Sequence, residues 1–365
     1  MSSISQHELE EAVKCYLDPY LNKDLYALKA VKSLELDDGK VKLVIDMPYA
    51  CEGIKGGMRQ ILETNLEFVD GVQSVDIVIN TKIAVHKPQG EVRTLSRVKN
   101  IIAVASGKGG VGKSTTSANL ALALAQEGVR VGILDADIYG PSMGMMLGIP
   151  EGQRPDTEEG KYFVPIEAHG IQVMSMAFLV DNNTPMVWRG PKVSGALLQL
   201  TTQSLWDNLD YLIIDMPPGT GDIQLTLAQK VPVSGSVIVT TPQDIALLDC
   251  KKGIEMFRKV DINVLGVVEN MSVHICSECG HHESLFGEGG GSRIAEAYDT
   301  EVLGEMPLHK TIREQIDSGT PTVVAEPDSE VAMLYRDIAR KLSAKLSQQA
   351  HDPRQAFPNI PIATQ

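Results

Sequence analysis

The pattern of apolar and polar residues in the first part of the chain predicts a small domain of short helices and strands. Two segments carry apolar residues at helical spacing, and three carry the alternation of a half-buried strand. The expected elements, in order, are a helix at 5–17, strands at 31–36 and 40–46 around a tight turn at Asp38-Gly39, a helix at 54–68 and a strand at 72–79. We therefore expect a small α+β domain over residues 1–85.

The pattern changes after residue 98. Residues 86–98 contain proline, glycine and interspersed charges without apolar periodicity, which predicts a linker. Continuous apolar runs then alternate with helical segments, which is typical of an α/β fold with a doubly wound, mostly parallel sheet. The expected strands are 100–106, 129–134, 171–176, 211–214, 236–240 and 264–268, and a helix is expected at 115–126. We assign residues 99–345 to this second domain and residues 346–365, with three prolines, to an extended tail.

Composition narrows the possible partners. A hydrophobic fraction of 43% over 365 residues allows both domains to have a core. The formal net charge of −14 argues against binding to nucleic acid or to an anionic membrane, because both need a basic surface. The sequence has no secretory signal pattern and no apolar run of membrane-spanning length. The sequence has five cysteines, an odd number, which favours a reducing, cytoplasmic location.

Residues 107–114 read Gly-Lys-Gly-Gly-Val-Gly-Lys-Ser and match the phosphate-binding pattern G-x-x-x-x-G-K-[ST]. In this pattern the backbone N–H groups surround the phosphates, the lysine meets the β- and γ-phosphates, and the last hydroxyl reaches Mg²⁺. The motif lies between a predicted strand and a predicted helix, whose N-terminal dipole would face the phosphates. The expected nucleotide contacts here are Gly107, Lys108, Gly109, Gly110, Val111, Gly112, Lys113, Ser114 and Thr115.

Lys108 occupies a position where an ordinary phosphate-binding loop needs no lysine. Its side chain leaves from the start of the loop and points outward, so it could serve the nucleotide of a neighbouring subunit. The pattern K-G-G-x-G-K-[ST] resembles the deviant Walker A ATPases. That resemblance implies a homodimer closed face to face around two ATP molecules, with Lys108 acting across the interface. A solvated loop lysine is the alternative.

Acidic residues follow two of the predicted strands. Asp215 opens the segment Asp-Met-Pro-Pro-Gly-Thr-Gly-Asp, where a Walker B carboxylate would hold Mg²⁺ together with Ser114. We assign support of the magnesium shell to Asp135 and positioning of the attacking water to Asp137, since phosphoryl transfer depends mainly on positioning and charge neutralisation. The expected catalytic residues are therefore Lys108, Lys113 and Asp137.

Two further residues complete the predicted nucleotide site. Gly219 can offer its N–H to the γ-phosphate. Asn270 follows a late strand, and in this ATPase class an asparagine at such a position commonly contacts adenine. A loop-capping asparagine is the alternative interpretation.

Cys276 and Cys279 form a C-x-x-C pair that can hold one edge of a metal centre. The chain has no second such pair, and His281 is too close for zinc-finger spacing. The simplest four-ligand arrangement is two copies of the chain meeting at a twofold axis. The spacing alone leaves an iron–sulfur cluster, a structural zinc and a redox dithiol open.

Taken together, these motifs resemble the Mrp/ApbC family of iron–sulfur cluster carrier ATPases. The motifs are the phosphate loop, the segments 135–142, 188–191 and 215–222, and the C-x-x-C pair. The resemblance is strong over residues 99–340 and weak over 1–85, where the order of elements is similar to that of the MIP18-like (DUF59) domain family. For the segment from Trp188 to Pro191 the resemblance implies no mechanism.

The family resemblance implies a function. It implies a Mg²⁺-dependent ATPase whose homodimer holds a [4Fe-4S] cluster between Cys276 and Cys279 of both chains. Such a protein receives the cluster from a donor and passes it to iron–sulfur apoproteins. The rival hypotheses are a positioning ATPase of the partition and division-site type and an ATP-driven electron donor with a shared cluster. The first needs a membrane helix or a basic face, and the second uses two well-separated cysteines.

Two other cysteines are assigned no chemistry. Cys51 lies roughly where many MIP18-like domains carry a cysteine, but Glu52 replaces the usual proline, so we expect a buried or inert thiol. Cys15 is expected on the apolar face of the first helix.

Overall fold

The computed structural model describes residues 4–86, 95, 97–138, 140–178, 190–276 and 278–349. The N-terminal part has the predicted order of elements. Ser5 and Glu8 form a capping box that starts the first helix. In the small sheet, the first strand pairs antiparallel and the third pairs parallel with the central second strand. The elements are α1 (Gln6–Lys14), β1 (Val31–Asp37), β2 (Lys40–Met47), α2 (Glu52–Glu67) and β3 (Ser74–Thr81).

The second part is built on a nine-stranded sheet. Its strands are β4 (Val98–Ala105), β5 (Val131–Asp135), β8 (Ile166–Ala168), β9 (Ile171–Ser175), β10 (Leu209–Asp215), β11 (Gly235–Thr240), β12 (Val264–Ile275), β13 (His282–Glu283) and β14 (Val302–Leu308), while β6 (Thr157–Glu158) and β7 (Tyr162–Phe163) form a separate ribbon. The strand order is β13-β12-β11-β4-β10-β5-β9-β8, and β14 also pairs with β12. Pairing is parallel from β9 through β5, β10, β4, β11 and β12 to β14, and only β8 and β13 run antiparallel.

Helices cover both faces of this sheet. The helices are α3 (Lys113–Gln126), α4 (Met143–Met146), α5 (Gly190–Gln203), α6 (Asp222–Lys230), α7 (Asp244–Lys259), α8 (Gly290–Ala297), α9 (Lys310–Asp317), α10 (Thr322–Ala325) and α11 (Glu330–Gln349). One core contains residues of α3 and α11, and the other contains residues of α5 to α8. The predicted doubly wound α/β fold, preceded by a small α+β unit, is therefore confirmed. No helix in the described part of the chain is long and apolar enough to cross a bilayer.

The two parts of the chain meet at the end of α3 farthest from the phosphate loop. Glu127 is fully buried there, and its carboxylate accepts hydrogen bonds from Gly53 N (2.8 Å) at the start of α2 and from Arg336 Nε (2.8 Å) on α11. Ser343 of α11 accepts a hydrogen bond from Ala50 N at 2.8 Å. The buried carboxylate is thus paired with a cation and an N–H group, which is the condition for burying such a charge.

The structure corrects several expectations about boundaries. α11 continues to Gln349, so the predicted tail begins inside a helix; Leu346 keeps the helix going because it is buried in the core. The predicted linker extends one residue too far, because Val98 already belongs to β4. The strand expected at 264–268 continues to Ile275, because β14 and β13 pair with its second half.

The structure also places the two cysteines of the small domain, Cys15 and Cys51, and the start of α5. Cys15 is exposed at the C-terminal end of α1 and not on its apolar face. Cys51 is buried as predicted, and burial raises the pKa of its thiol to about 11. Trp188, Arg189, most of the linker and the tail beyond Gln349 lie outside the described residues, and Gly190 and Pro191 begin α5.

Candidate functional site

The phosphate loop connects β4 to α3 at the carboxyl edge of the sheet. Gly110 and Gly112 both have φ of +82°, a left-handed conformation that glycine adopts without strain. Val111 between them is buried in the core, and Lys113 is the first residue of α3. The buried Val111 side chain therefore fixes the loop against the core, and the N-terminal end of α3 faces the phosphate site.

The Asp215 carboxylate at the end of β10 joins three side chains of the loop and helix. The Lys113 ammonium lies 2.7 Å from Asp215 Oδ2, and Ser114 Oγ donates to the same oxygen at 2.7 Å. Ser117 Oγ donates to Asp215 Oδ1 at 2.6 Å. Asp215 is fully buried, and these three side chains give its carboxylate partners next to the phosphate loop. The structure thus brings the predicted Lys113, Ser114 and Asp215 together.

Asp135 lies beside Asp215 because β5 and β10 are neighbours and the two residues are register partners. Its carboxylate is fully buried and accepts hydrogen bonds from the backbone N–H groups of Asp137 (3.1 Å), Ser142 (2.9 Å) and Met143 (3.1 Å). Burial, followed by the nearby Asp215 charge, raises the pKa of Asp135 to about 7. Asp135 therefore organises the loop that carries Asp137. Asp137 is half-buried, and its Oδ1 accepts from Gly140 N at 3.3 Å.

Lys108 and Gly219 differ in how they are held. Lys108 is exposed, and its backbone carbonyl accepts a hydrogen bond from Ser106 Oγ at 2.8 Å. The Gly219 N–H, expected at the γ-phosphate, donates instead to Ser106 O at 3.0 Å. Gly219 adopts φ +96°, and this turn directs its N–H back to the chain. In this arrangement the Gly219 N–H is engaged within the chain, and its contact with the γ-phosphate stays a prediction.

Asn270 lies within β12 and not after its end. Its amide Nδ2 donates to Val111 O at 2.9 Å, so this donor is engaged with the phosphate loop itself. The preceding Glu269 accepts a hydrogen bond from Gly291 N at the start of α8, and burial raises the pKa of Glu269. Both residues therefore join β12 to elements that surround the site.

The cysteine pair lies at the tip of the hairpin formed by β12 and β13. Cys276 N donates to His281 O (3.0 Å) and Gly280 N donates to Cys276 O (2.8 Å), which closes a tight turn; Ser277 lies outside the described residues. Cys279 is exposed and Cys276 is half-buried. Backbone N–H groups of Glu278 and Cys279 lower the pKa of the Cys276 thiol. The turn therefore favours the thiolate form, which binds metals.

Within the described residues of one chain, no three His, Cys, Asp or Glu side chains are placed together as metal ligands would be. The hairpin turn carries one exposed thiol, Cys279, and one half-buried thiol, Cys276.

Sequence reasoning missed two serines of the site. Ser117 lies three residues after Ser114, so both hydroxyls share one face of α3, and this spacing could have revealed it. Ser175 ends β9, where it is the register partner of Asp135 and donates to its carboxylate at 3.1 Å. Finding Ser175 required knowing that β9 is the neighbour of β5.

Comparisons with known proteins find matches to both parts of the chain. Residues 97–343 match the family described as ParA, NUBPL iron-transfer P-loop NTPase, and residues 6–77 match the family described as iron-sulfur cluster assembly protein. An iron-sulfur cluster carrier protein of Pseudomonas fragi is 68% identical over 76% of this chain and 97% of its own length. A protein of the same description in Escherichia coli strain K12 is 49% identical over 95% of this chain and 96% of its own length.

Two solved structures share the fold of the second domain. A nucleotide-binding protein of Archaeoglobus fulgidus, solved in complex with ADP, has a TM-score of 0.57 and 37% identity over 66% of this chain and 93% of that chain. The cell division ATPase MinD of Pyrococcus furiosus has a TM-score of 0.51 at 22% identity over 67% of this chain and 98% of that chain, a likeness of fold alone. The matched family spans the sheet, the phosphate loop and the C-x-x-C hairpin, and on this ground the chain belongs to the NUBPL iron-transfer P-loop NTPases.

Proposed function

We propose that this protein is an iron–sulfur cluster carrier that binds and hydrolyses ATP. The observation that carries the proposal is the exposed C-x-x-C hairpin on β12, the same strand that contacts the phosphate loop through Asn270. The relatives named iron-sulfur cluster carrier proteins, which match most of the chain, support the same cargo.

The cluster is held between two copies of the chain. Each chain supplies Cys276 and Cys279, so a twofold axis through the hairpin tips provides four thiolates for one [4Fe-4S] cluster. The exposure of Cys279 supports this arrangement, because the ligand is open to a partner. The same homodimer passes the cluster from a donor protein to apoproteins. We keep the expected cytoplasmic location, because the thiols must stay reduced to bind iron.

Residues of the nucleotide site take the following roles. Lys113 contacts the β- and γ-phosphates, Asp137 orients the attacking water, and Lys108 of each chain reaches the nucleotide of the other. Mg²⁺ fits the oxygen ligands Ser114 Oγ and Asp215 Oδ2, which lie 2.7 Å apart, since this cation prefers carboxylate and hydroxyl oxygens. When bound, Mg²⁺ neutralises phosphate charge, and Lys113 exchanges its ion pair with Asp215 for the phosphates. Asp135 supports the site indirectly through the loop of Asp137, and Asn270 remains a candidate for the adenine edge.

Anaerobic purification followed by reconstitution tests the proposal. We expect a broad visible absorption of a cluster, about four iron and four sulfide per two chains, and transfer of the cluster to an apo [4Fe-4S] protein. Native mass spectrometry should place the iron only in the dimer. One zinc per chain, or a reconstituted protein that keeps its iron in the presence of the apoprotein and ATP, would contradict the carrier function.

A further inference from the structure

Strand β12 runs from the nucleotide site to the cysteine hairpin and changes character halfway. Residues 264–270 are buried, whereas residues 271–275 are half-buried. The first half lies between β11 and β14, with Glu269 paired to Thr240 on one side. β11 ends at Thr240, so the second half has lost this neighbour and continues into the hairpin with β13. We call residues 264–270 the anchored half of β12 and residues 271–275 its projecting half.

The anchored half ends at a close contact with the phosphate loop. Asn270 Nδ2 donates to Val111 O at 2.9 Å. A Cβ atom on Gly112 would lie only 2.1 Å from Asn270 Nδ2, so the loop backbone passes directly against the amide. Both Val111 and Asn270 are buried. A shift of the loop backbone must therefore move Asn270 or break its hydrogen bond.

The projecting half begins with an unusual backbone conformation. Met271 has φ +59°, in the left-handed region that side chains with a Cβ atom rarely adopt. The pairing of β12 with β14 changes register between Asn270 and His274. Strained residues of this kind persist where the surrounding contacts hold them, and they often mark places where the chain switches conformation. Met271 is thus the residue at which motion of the anchored half can be passed to the hairpin.

We propose that Asn270 is a positioning residue that senses the state of the phosphate loop, and that Met271 is the hinge through which nucleotide binding alters the C-x-x-C hairpin. This proposal rests on the function proposed above and gives that site its regulation. Nucleotide binding draws the loop N–H groups to the phosphates, Val111 O moves with the same peptide backbone, and Asn270 follows it. The cysteines, five and eight residues beyond Met271, then change their exposure or spacing.

Alkylation of the two cysteines by iodoacetamide, without any metal, tests the coupling. The experiment uses the full chain with Cys15→Ser, because Cys15 is the other exposed thiol in the described residues whereas Cys51 and Cys250 are buried. Peptide mass spectrometry then follows Cys276 and Cys279 separately. Saturating Mg²⁺ with a non-hydrolysable ATP analogue should change the labelling rate of at least one of them about fivefold or more, the lower end of typical allosteric couplings.

Two variants and one control test whether Asn270 and Met271 carry the coupling from the phosphate loop to the hairpin. Asn270→Ala removes the contact to Val111, and Met271→Gly relaxes the hinge while leaving that contact in place. Each should reduce the nucleotide-dependent change to within replicate scatter, at nucleotide concentrations shown to be saturating by a binding assay. Ser272→Ala, at the next residue of β12, removes the hydrogen bond from Ser272 Oγ to Met306 O of β14 (3.2 Å) and should keep the full change.

Several outcomes would overturn the proposal. These are an unchanged labelling rate in the parent protein, a full change in either Asn270→Ala or Met271→Gly, or an equal loss in Ser272→Ala. If Asn270 serves only to contact adenine, Asn270→Ala will lower nucleotide affinity but keep the labelling change at saturation. Since no iron is used, the coupling can be observed even if the cargo is not a cluster, and cluster binding can succeed when the coupling fails.

Discussion

The nucleotide site and the cysteine hairpin lie at the same edge of the sheet, but the chain holds them very differently. At the nucleotide site the buried Asp215 carboxylate already has Lys113, Ser114 and Ser117 as partners. At the hairpin the described hydrogen bonds of Cys276 stay within the turn itself, and Cys279 is exposed. The side chains around Asp215 all come from one chain, whereas the hairpin leaves the Cys279 thiol exposed. Loss of a residue should therefore have separable consequences at the two sites.

The largest expected effect is at the hairpin. Cys276→Ala or Cys279→Ala should abolish cluster binding, because the proposed centre has no spare ligand, and nucleotide binding should remain largely unchanged. Iron and sulfide analysis after anaerobic reconstitution measures this, beside a nucleotide-binding assay. Cys15→Ala, at an exposed thiol of the small domain, is the matched control and should bind a full cluster. If either hairpin variant kept the parent's iron and sulfide, the bridging site would be wrong.

The reverse separation is expected at the phosphate loop. Lys113→Ala should lower Mg²⁺-dependent ATP hydrolysis about 100-fold or more, as for other single donors to a developing negative charge. Cluster binding after reconstitution should persist. Ser114 and Ser117 still donate to Asp215, so circular dichroism should show a folded chain. Lys252→Ala removes an exposed lysine of α7 and should leave turnover unchanged. Normal turnover in folded Lys113→Ala would remove this loop from the mechanism.

The same contrast explains what could be predicted from the sequence. The phosphate loop, Asp215 and the C-x-x-C pair were found because their chemistry fixes residue types at short spacing. The partners of Asn270 and of Glu127 depend on which strands and helices become neighbours, and no local pattern encodes those neighbours. Asn270 is expected at the adenine edge, with a loop-capping role as the alternative, and tertiary packing places its amide Nδ2 on Val111 O.

The extent of the elements was likewise decided by packing. The predicted strand at 264–268 stopped where its apolar run stopped. Pairing with β13 and β14 extends the real strand to Ile275. The extended tail predicted over residues 346–365 begins too early for a similar reason, because residues such as Leu346 are buried against the core.

A third prediction asks whether the nucleotide site is really complete in one chain. If Lys108 acts across the dimer, Lys108→Ala and Asp137→Ala homodimers are both nearly inactive, but a mixed dimer has one site with both groups intact. Random exchange makes about half of the dimers mixed, so independent sites should restore roughly a quarter of parental activity. ATPase assays of the exchanged mixture measure this, after native mass spectrometry has confirmed mixed dimers. Activity no higher than the sum of the two variants would rule out independent sites that use Lys108 in trans.

The smallest effect concerns the buried carboxylate beside Asp215. The pKa of Asp135 is raised to about 7 in the folded protein from an ordinary value of 3.8, mainly by burial. The folded state favours protonated Asp135, so protonation of this residue contributes to the free energy of unfolding. That contribution is fully present below pH 3.8 and is lost as the pH rises through 7. Thermal unfolding should therefore show the melting temperature of the parent falling by about 2–4 °C more than that of Asp135→Asn between pH 5 and pH 8.

The amide of Asp135→Asn also changes the hydrogen bonds from Ser142 and Met143, but that offset in melting temperature is the same at both pH values. Ser175→Ala removes a donor to the carboxylate while keeping the titrating group, so it should retain the parent's pH dependence. Parallel pH profiles for the parent and Asp135→Asn would contradict the raised pKa of Asp135 and would mean that its N–H donors keep it ionised throughout this range.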